Sequence, residues 1–229
     1  MAHSPSSSFR RTLLGLGLGL SEGDGWAQSF EPGDRVLEAA ANGDAQRVRE
    51  LVQATGVPLG QILWAAVHFT YNYAAVKFLL DVCGTAGVNS CSDWGWTPLA
   101  SAVTSCNHEG VQHLSTVELL LSRGANPNQP VVNRVCNMTP LQLVHGGHVT
   151  SSARTRRLVS HLLLRYGAEI SPAATDPYLC KVAAAGGFRA YEKAHRHAIA
   201  ATLTRVAFPC LPVDVLSHVV AFSFHTGYY

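Results

Sequence analysis

The chain has 229 residues, 47% hydrophobic and 14% charged, with a formal net charge of +2 when its histidines are neutral. That apolar content can bury a sizeable core, either as one long domain or as an elongated array, and it excludes a chain disordered throughout. The small net charge, with no basic run beyond "RTRR" at 154–157, excludes a surface that tracks phosphates along the whole chain, so no nucleic-acid partner is expected.

Residues 1–30, "MAHSPSSSFRRTLLGLGLGLSEGDGWAQSF", are Ser-rich, hold Arg10 and Arg11, and have no acid before Glu22. This segment reads as a disordered tail or as a targeting segment, of the twin-arginine or the basic-presequence kind. Its Leu/Gly run at 13–20 is only eight residues long, too short to span a bilayer, and no membrane partner is expected. The six cysteines (Cys83, Cys91, Cys106, Cys136, Cys180, Cys210) form no CxxC pair. They read as buried thiols in a reducing compartment, cytoplasmic or nuclear, rather than as a disulfide framework.

From there the chain repeats itself. "DRVLEAAANGDAQRVRELVQATG" at 34–56 and "QILWAAVHFTYNYAAVKFLLDVCG" at 61–84 share an alanine pair followed by an apolar stripe. "DWGWTPLASAV" at 93–103, with "LLLSRGANPN" at 119–128, is echoed by "CNMTPLQLV" at 136–144 with "LLLRYGAEI" at 162–170. A fifth copy, "DPYLCKVAAAGGFRAYEKAHRHAI", runs from 176 to 199. Each matched position has a physical task. Thr97 and Thr139 can accept hydrogen bonds from the free N–H groups of a starting helix, and Pro98 and Pro140 stand where a missing donor costs nothing. Leu119 and Leu163 fall on the apolar stripe of a second helix, which Gly124 and Gly167 end by turning left-handed. Such a helix pair alone exposes an apolar face, so the copies must stack.

With Thr-Pro-Leu followed by an apolar helix pair and Gly-Ala, residues 33–190 resemble ankyrin repeats, whose pattern is Thr-Pro-Leu-His-x-Ala at a period of about 33 residues. The resemblance implies an all-α solenoid of four to five stacked helix-turn-helix units, closed by a C-terminal helical cap at 191–229. There are departures. Ala100 and Gln142 stand where the pattern has His, so the usual bond between turn and helix is not expected there. Thr97 to Gly124 spans 27 residues and Thr139 to Gly167 spans 28, against about twenty-one in the plain pattern. The extra residues, in "TSCNHEGVQHLS" and "HGGHVTSSARTRR", are expected to build a raised rim between inner and outer helices.

Chemistry finds little support in the residues. Cys106, His108, His113, His145 and His148 are ligand types that zinc accepts, but their spacing matches no zinc signature, and neither metal nor cofactor is expected. No glycine-rich loop opens a helix after a strand, the acids are few and scattered, and no catalytic residue is assigned. Protein-binding candidates are the aromatic residues Trp94, Trp96, Tyr71 and Tyr73 at turn tips and inner helices, and the rim histidines His108, His113, His145 and His148. Aromatic side chains anchor interfaces because they bury much apolar area with few rotatable bonds.

"LPVDVLSHVVAF" at 211–222 is similar to the first helix of an F-box, yet only seven residues follow it. A SOCS box resembles the segment better in place and length, with Tyr191, His195 and Ile199 in the frame of its Leu, Cys and apolar positions and Leu211-Pro212 at its Leu-Pro. That resemblance implies docking to elongin or cullin components. The expectation is therefore a non-enzymatic scaffold that binds another protein through its repeats. The alternative is a substrate receptor of a cullin-type ubiquitin ligase.

Overall fold

A computed structural model describes residues 35–70, 73–85, 87–92, 94–106, 111–132, 137–146, 152–206, 212, 214–216 and 218–220. Five helix pairs follow one another in these residues. The first is α1 at 35–41 with α2, Ala45–Thr55. In the second, α3 (Leu59–Ala65) widens into a π-turn, Ala66–Thr70, before α4 (Tyr73–Cys83). The third is α5 (Pro98–Ser105) with α6 (Val111–Ser122), and the fourth α7 (Pro140–His145) with α8 (Ala153–Arg165). The fifth is α9 (Pro177–Ala184) with the long α10 (Phe188–Val206). The division expected between 190 and 191 falls inside α10, which runs unbroken through it.

Side-chain caps fix where the helices begin. The Ala100 N–H donates to Thr97 Oγ1 at 3.1 Å, the Arg47 N–H to Asp44 Oδ1 at 2.9 Å, and the Thr155 N–H to Ser152 Oγ at 3.1 Å. Gln142 corrects one expectation. Standing where the pattern has His, its Oε1 accepts from the Thr139 N–H at 2.9 Å, while its own N–H donates to Thr139 Oγ1, which closes a reciprocal capping box. The ends are equally regular. Gly124 and Gly167 take φ of +90° and +94°, and the N–H groups of Ala125 and Ala168 reach back to the carbonyls of Leu120 and Leu163.

The apolar faces stack into two layers. The helices α2, α4, α6, α8 and α10 pack in succession as an outer layer, and α3, α5 and α7 as an inner one. A continuous core runs between them, from Val36 through Leu63, Leu79, Leu99, Leu120 and Leu163 to Phe188. Burial of this kind is the main stabilising contribution in a solenoid, where each unit contacts only its neighbours.

Two features depart from an array of helices alone. Val131–Val132 pairs antiparallel with Asn137–Met138 in a short hairpin, β1 and β2, with Val131 opposite Met138. The turns are also tied by paired asparagines. Asn89 Nδ2 donates to the Gly124 carbonyl at 3.0 Å while its Oδ1 accepts from the Asn126 N–H at 2.7 Å. Asn128 does the same to the Gly167 carbonyl, at 3.0 Å, and the Glu169 N–H, at 2.8 Å. Each amide thus clamps the next turn in the stack. Asn128→Ala removes two such bonds at a partly exposed site, and chemical denaturation should show a loss of about 1–2 kcal/mol. An unchanged midpoint would mean that water replaces both bonds without cost.

Candidate functional site

The third pair presents a tight turn before α5. The Gly95 N–H donates to the Ser92 carbonyl at 2.9 Å, and the Ser92 N–H to the Trp96 carbonyl at 2.8 Å. Gly95 itself sits at φ +73° against the hairpin: a Cβ placed on it would lie 2.1 Å from the Val132 carbonyl oxygen. This close approach sets the turn that carries Trp94, at 57% exposure, against strand β1, where Val132 is 61% exposed. Trp96 points the other way in its role. It is half-buried, and with Met138 it covers a small cluster of Ala100, Val131 and Leu143.

Met138 also leads into a groove of about 630 Å³, walled by Leu141 and His145 of α7, the turn residues Glu169 and Ser171, Asp176 just before α9, and Leu179 of α9. The groove opens where α7 and α9 approach each other less closely than the earlier inner helices do. His145 bridges its floor. Its Nε2 lies 2.8 Å from Ser160 Oγ and its Nδ1 3.3 Å from Asp176 Oδ2. A neutral His145 ring has one N–H, so it donates either from Nδ1 to the Asp176 carboxylate, with Nε2 accepting from the Ser160 hydroxyl, or from Nε2 to Ser160 Oγ, with that hydroxyl donating to the Arg156 carbonyl at 2.8 Å. Burial pushes the His145 pKa down, and the Asp176 carboxylate only partly offsets this. Asp176 Oδ1 meanwhile caps α9 by accepting from the Tyr178 and Leu179 N–H groups. The Ser–His–Asp order has the connectivity of a nucleophile chain, but Ser160 is fully buried, which closes its hydroxyl to a substrate. The arrangement ties α7, α8 and the start of α9 together.

Cys106 is equally closed. It is buried, its Sγ–H donates to the Ala102 carbonyl, and burial pushes the thiol up to about 12, so it is no nucleophile near neutral pH. Among the described residues no three His, Cys, Asp or Glu side chains group as a cation site. The bounds expected for the insertions shift: residues 111–115 belong to α6 and 153–157 to α8, helices of 12 and 13 residues against 11 in α2 and α4, and the segments between inner and outer helices at 107–110 and 147–151 lie outside the described residues. His113 therefore sits half-buried on α6, while His108 and His148 lie outside the described residues, as does Tyr71. Tyr73 is half-buried against the main core.

At the C-terminal end Tyr191 and His195 stack with ring centroids 5.6 Å apart, and Tyr191 meets Tyr178 edge-on at 5.7 Å. Ile199 belongs to a different grouping, packed with Leu203 against Ala200 and Val220. Pro212 is exposed, and Leu211 and residues 1–30 lie outside the described residues.

A family model for ankyrin repeats (3 copies) matches residues 36–131, the first three helix pairs and β1. Those residues are ankyrin repeats. The fourth and fifth pairs continue the same stack beyond the matched residues, with the Thr139 cap, the Gly167 end and the Asn128 clamp repeating the geometry of Thr97, Gly124 and Asn89. A search of curated proteins finds no match to the chain. Ankyrin repeats form a protein-protein interaction module, and the all-α repeat solenoid expected from the pattern is the fold observed. Among the described residues, no helix is long and apolar enough to cross a membrane.

The sequence pointed to Trp94, Trp96 and His145 but missed Val132, Met138 and Asp176. Two valines in so short a strand and a methionine before Thr-Pro carry no periodicity, and Asp176 reads only as a helix cap.

Proposed function

We propose that the protein is a non-enzymatic scaffold that binds a partner protein along one ankyrin surface, from Trp94 and Val132 across Met138 into the groove beside His145. The observation that carries this reading is the pair of exposed apolar side chains on a turn and on the strand it abuts, held in register by the contact of Gly95 with Val132. Exposed apolar groups scattered singly need no explanation, whereas two side by side beside an open groove offer a partner an anchor and a seat. The groove walls add His145, Glu169 and Asp176 as polar groups to fix the orientation of what enters.

Affinity capture with quantitative mass spectrometry, run in parallel on the native chain and on Trp94→Ala, tests the reading. Partners retained by the native chain should fall by about tenfold or more with the variant, the effect of losing an interface anchor. The thermal melt should stay in place, since the ring is mostly in solvent. Equal capture by both proteins would remove the turn tip from the binding surface.

A further inference from the structure

Charge is divided unevenly along the chain. Residues 152–206 carry nine Lys and Arg against three Asp and Glu, whereas residues 1–151 carry eight against eleven. The net +2 thus conceals +6 on the fourth and fifth helix pairs, from α8 onward. Here α8, α9 and α10 enclose a pocket of about 300 Å³ that belongs to no part of the turn-tip surface. Its interior is aromatic and apolar. Tyr178 meets Tyr191 edge-on at 84°, and His161 meets Phe188 at 74° with centroids 4.8 Å apart. Burial lowers the His161 pKa to about 4, so its ring is an uncharged wall at neutral pH. The rim is cationic. The Arg157 guanidinium lies 6.0 Å from the centre of the Tyr178 ring, and Lys181 stands exposed on α9. Neither enters an ion pair among the described residues, while the one carboxylate of the rim, Glu192, is paired with Arg196.

We propose that this pocket binds an acidic peptide segment of a partner protein, with one bulky apolar side chain inside the aromatic cavity and carboxylates on Arg157 and Lys181. The volume suits a single large side chain and falls at the small end of cavities that take whole organic ligands. The planar guanidinium of Arg157, held near the Tyr178 ring, has the fork of N–H groups that meets a carboxylate in two parallel bonds. A nucleic-acid strand fits worse. It needs a row of cations along its phosphates, and Glu192 interrupts this rim.

Fluorescence polarisation of the full chain with a labelled Glu-Asp-Glu-Phe-Glu-Asp-Glu peptide at low salt tests the proposal. Saturable binding is expected, weakened about tenfold or more by Arg157→Glu, by Lys181→Glu, and by a Ser in place of the Phe of the peptide. Both protein substitutions alter exposed side chains, so the melt should be unmoved, and Trp94→Ala should bind the peptide as the native chain does. That last arm keeps the outcome independent of the turn-tip reading. The proposal is overturned by absence of saturable binding, by indifference to the Phe or to both charge reversals, or by tighter binding of a labelled oligouridine with the same sensitivity to Arg157→Glu and Lys181→Glu.

Discussion

Leu163→Ala should lower the free energy of unfolding by about 2–5 kcal/mol, toward the upper part of that range. The side chain is 0% exposed on α8, in the middle of the core that joins the fourth pair to its neighbours. Truncation removes its transfer free energy and also leaves a cavity that two rigid helix layers can only partly close. Leu119 makes a useful comparison, since it holds the related stripe on α6 but is 8% exposed, near the edge of the core. Its Ala variant should cost less. Because α8 packs against both α6 and α10, the loss at 163 is shared by the fourth pair and its two neighbours, and hydrogen exchange should quicken across the third, fourth and fifth pairs. Equal, small shifts of the urea midpoint for the two variants would place the stripe of α8 outside the core.

Most of the array could be read from the residues because its determinants are local. Thr-Pro at 97–98 and 139–140 starts helices wherever it stands, Gly124 and Gly167 end them, and the leucines between recur at helical spacing. Even the fifth pair, which lacks Thr-Pro-Leu, is signalled by the Asp176-Pro177 start and by Gly186-Gly187. What stayed hidden depends on distant partners. The clamps of Asn89 and Asn128 join residues 35 to 41 positions apart, and an asparagine in a turn reads the same whether or not it reaches the next one. Each hairpin strand holds two described residues, too few for an alternating pattern to register. The bounds of the two insertions stayed hidden for a related reason: "VQHLS" and "ARTRR" have no strong helical stripe of their own, and become helical as continuations of α6 and α8. For the site, aromatic side chains drew attention to Trp94, but its neighbour Val132 lies far along the chain and is brought close only by packing.

That packing rests on Gly95, and Gly95→Ala is expected to be among the most damaging single changes in the third pair. Two costs add. At φ +73° any residue with a side chain loses about 1–2 kcal/mol against glycine. The new Cβ would also sit 2.1 Å from the Val132 carbonyl oxygen and 2.9 Å from its carbon, and backbone cannot turn aside as a flexible side chain can. Either the turn or β1 must move, an overpacking cost of about 1–3 kcal/mol. Gly124 supplies the control, since it also has a positive φ, +90°, but nothing lies within 4 Å of a Cβ built there. Gly124→Ala should therefore show the conformational cost alone, and the difference between the two variants measures the contact of turn with hairpin. The displacement should also reach the proposed binding surface: Trp94 and Val132 lose their register, and partner capture should fall in Gly95→Ala at a temperature where both glycine variants remain folded. Matching losses of stability for Gly95→Ala and Gly124→Ala, with capture intact in both, would show that the hairpin does not bear on the turn and that Trp94 holds its place without it.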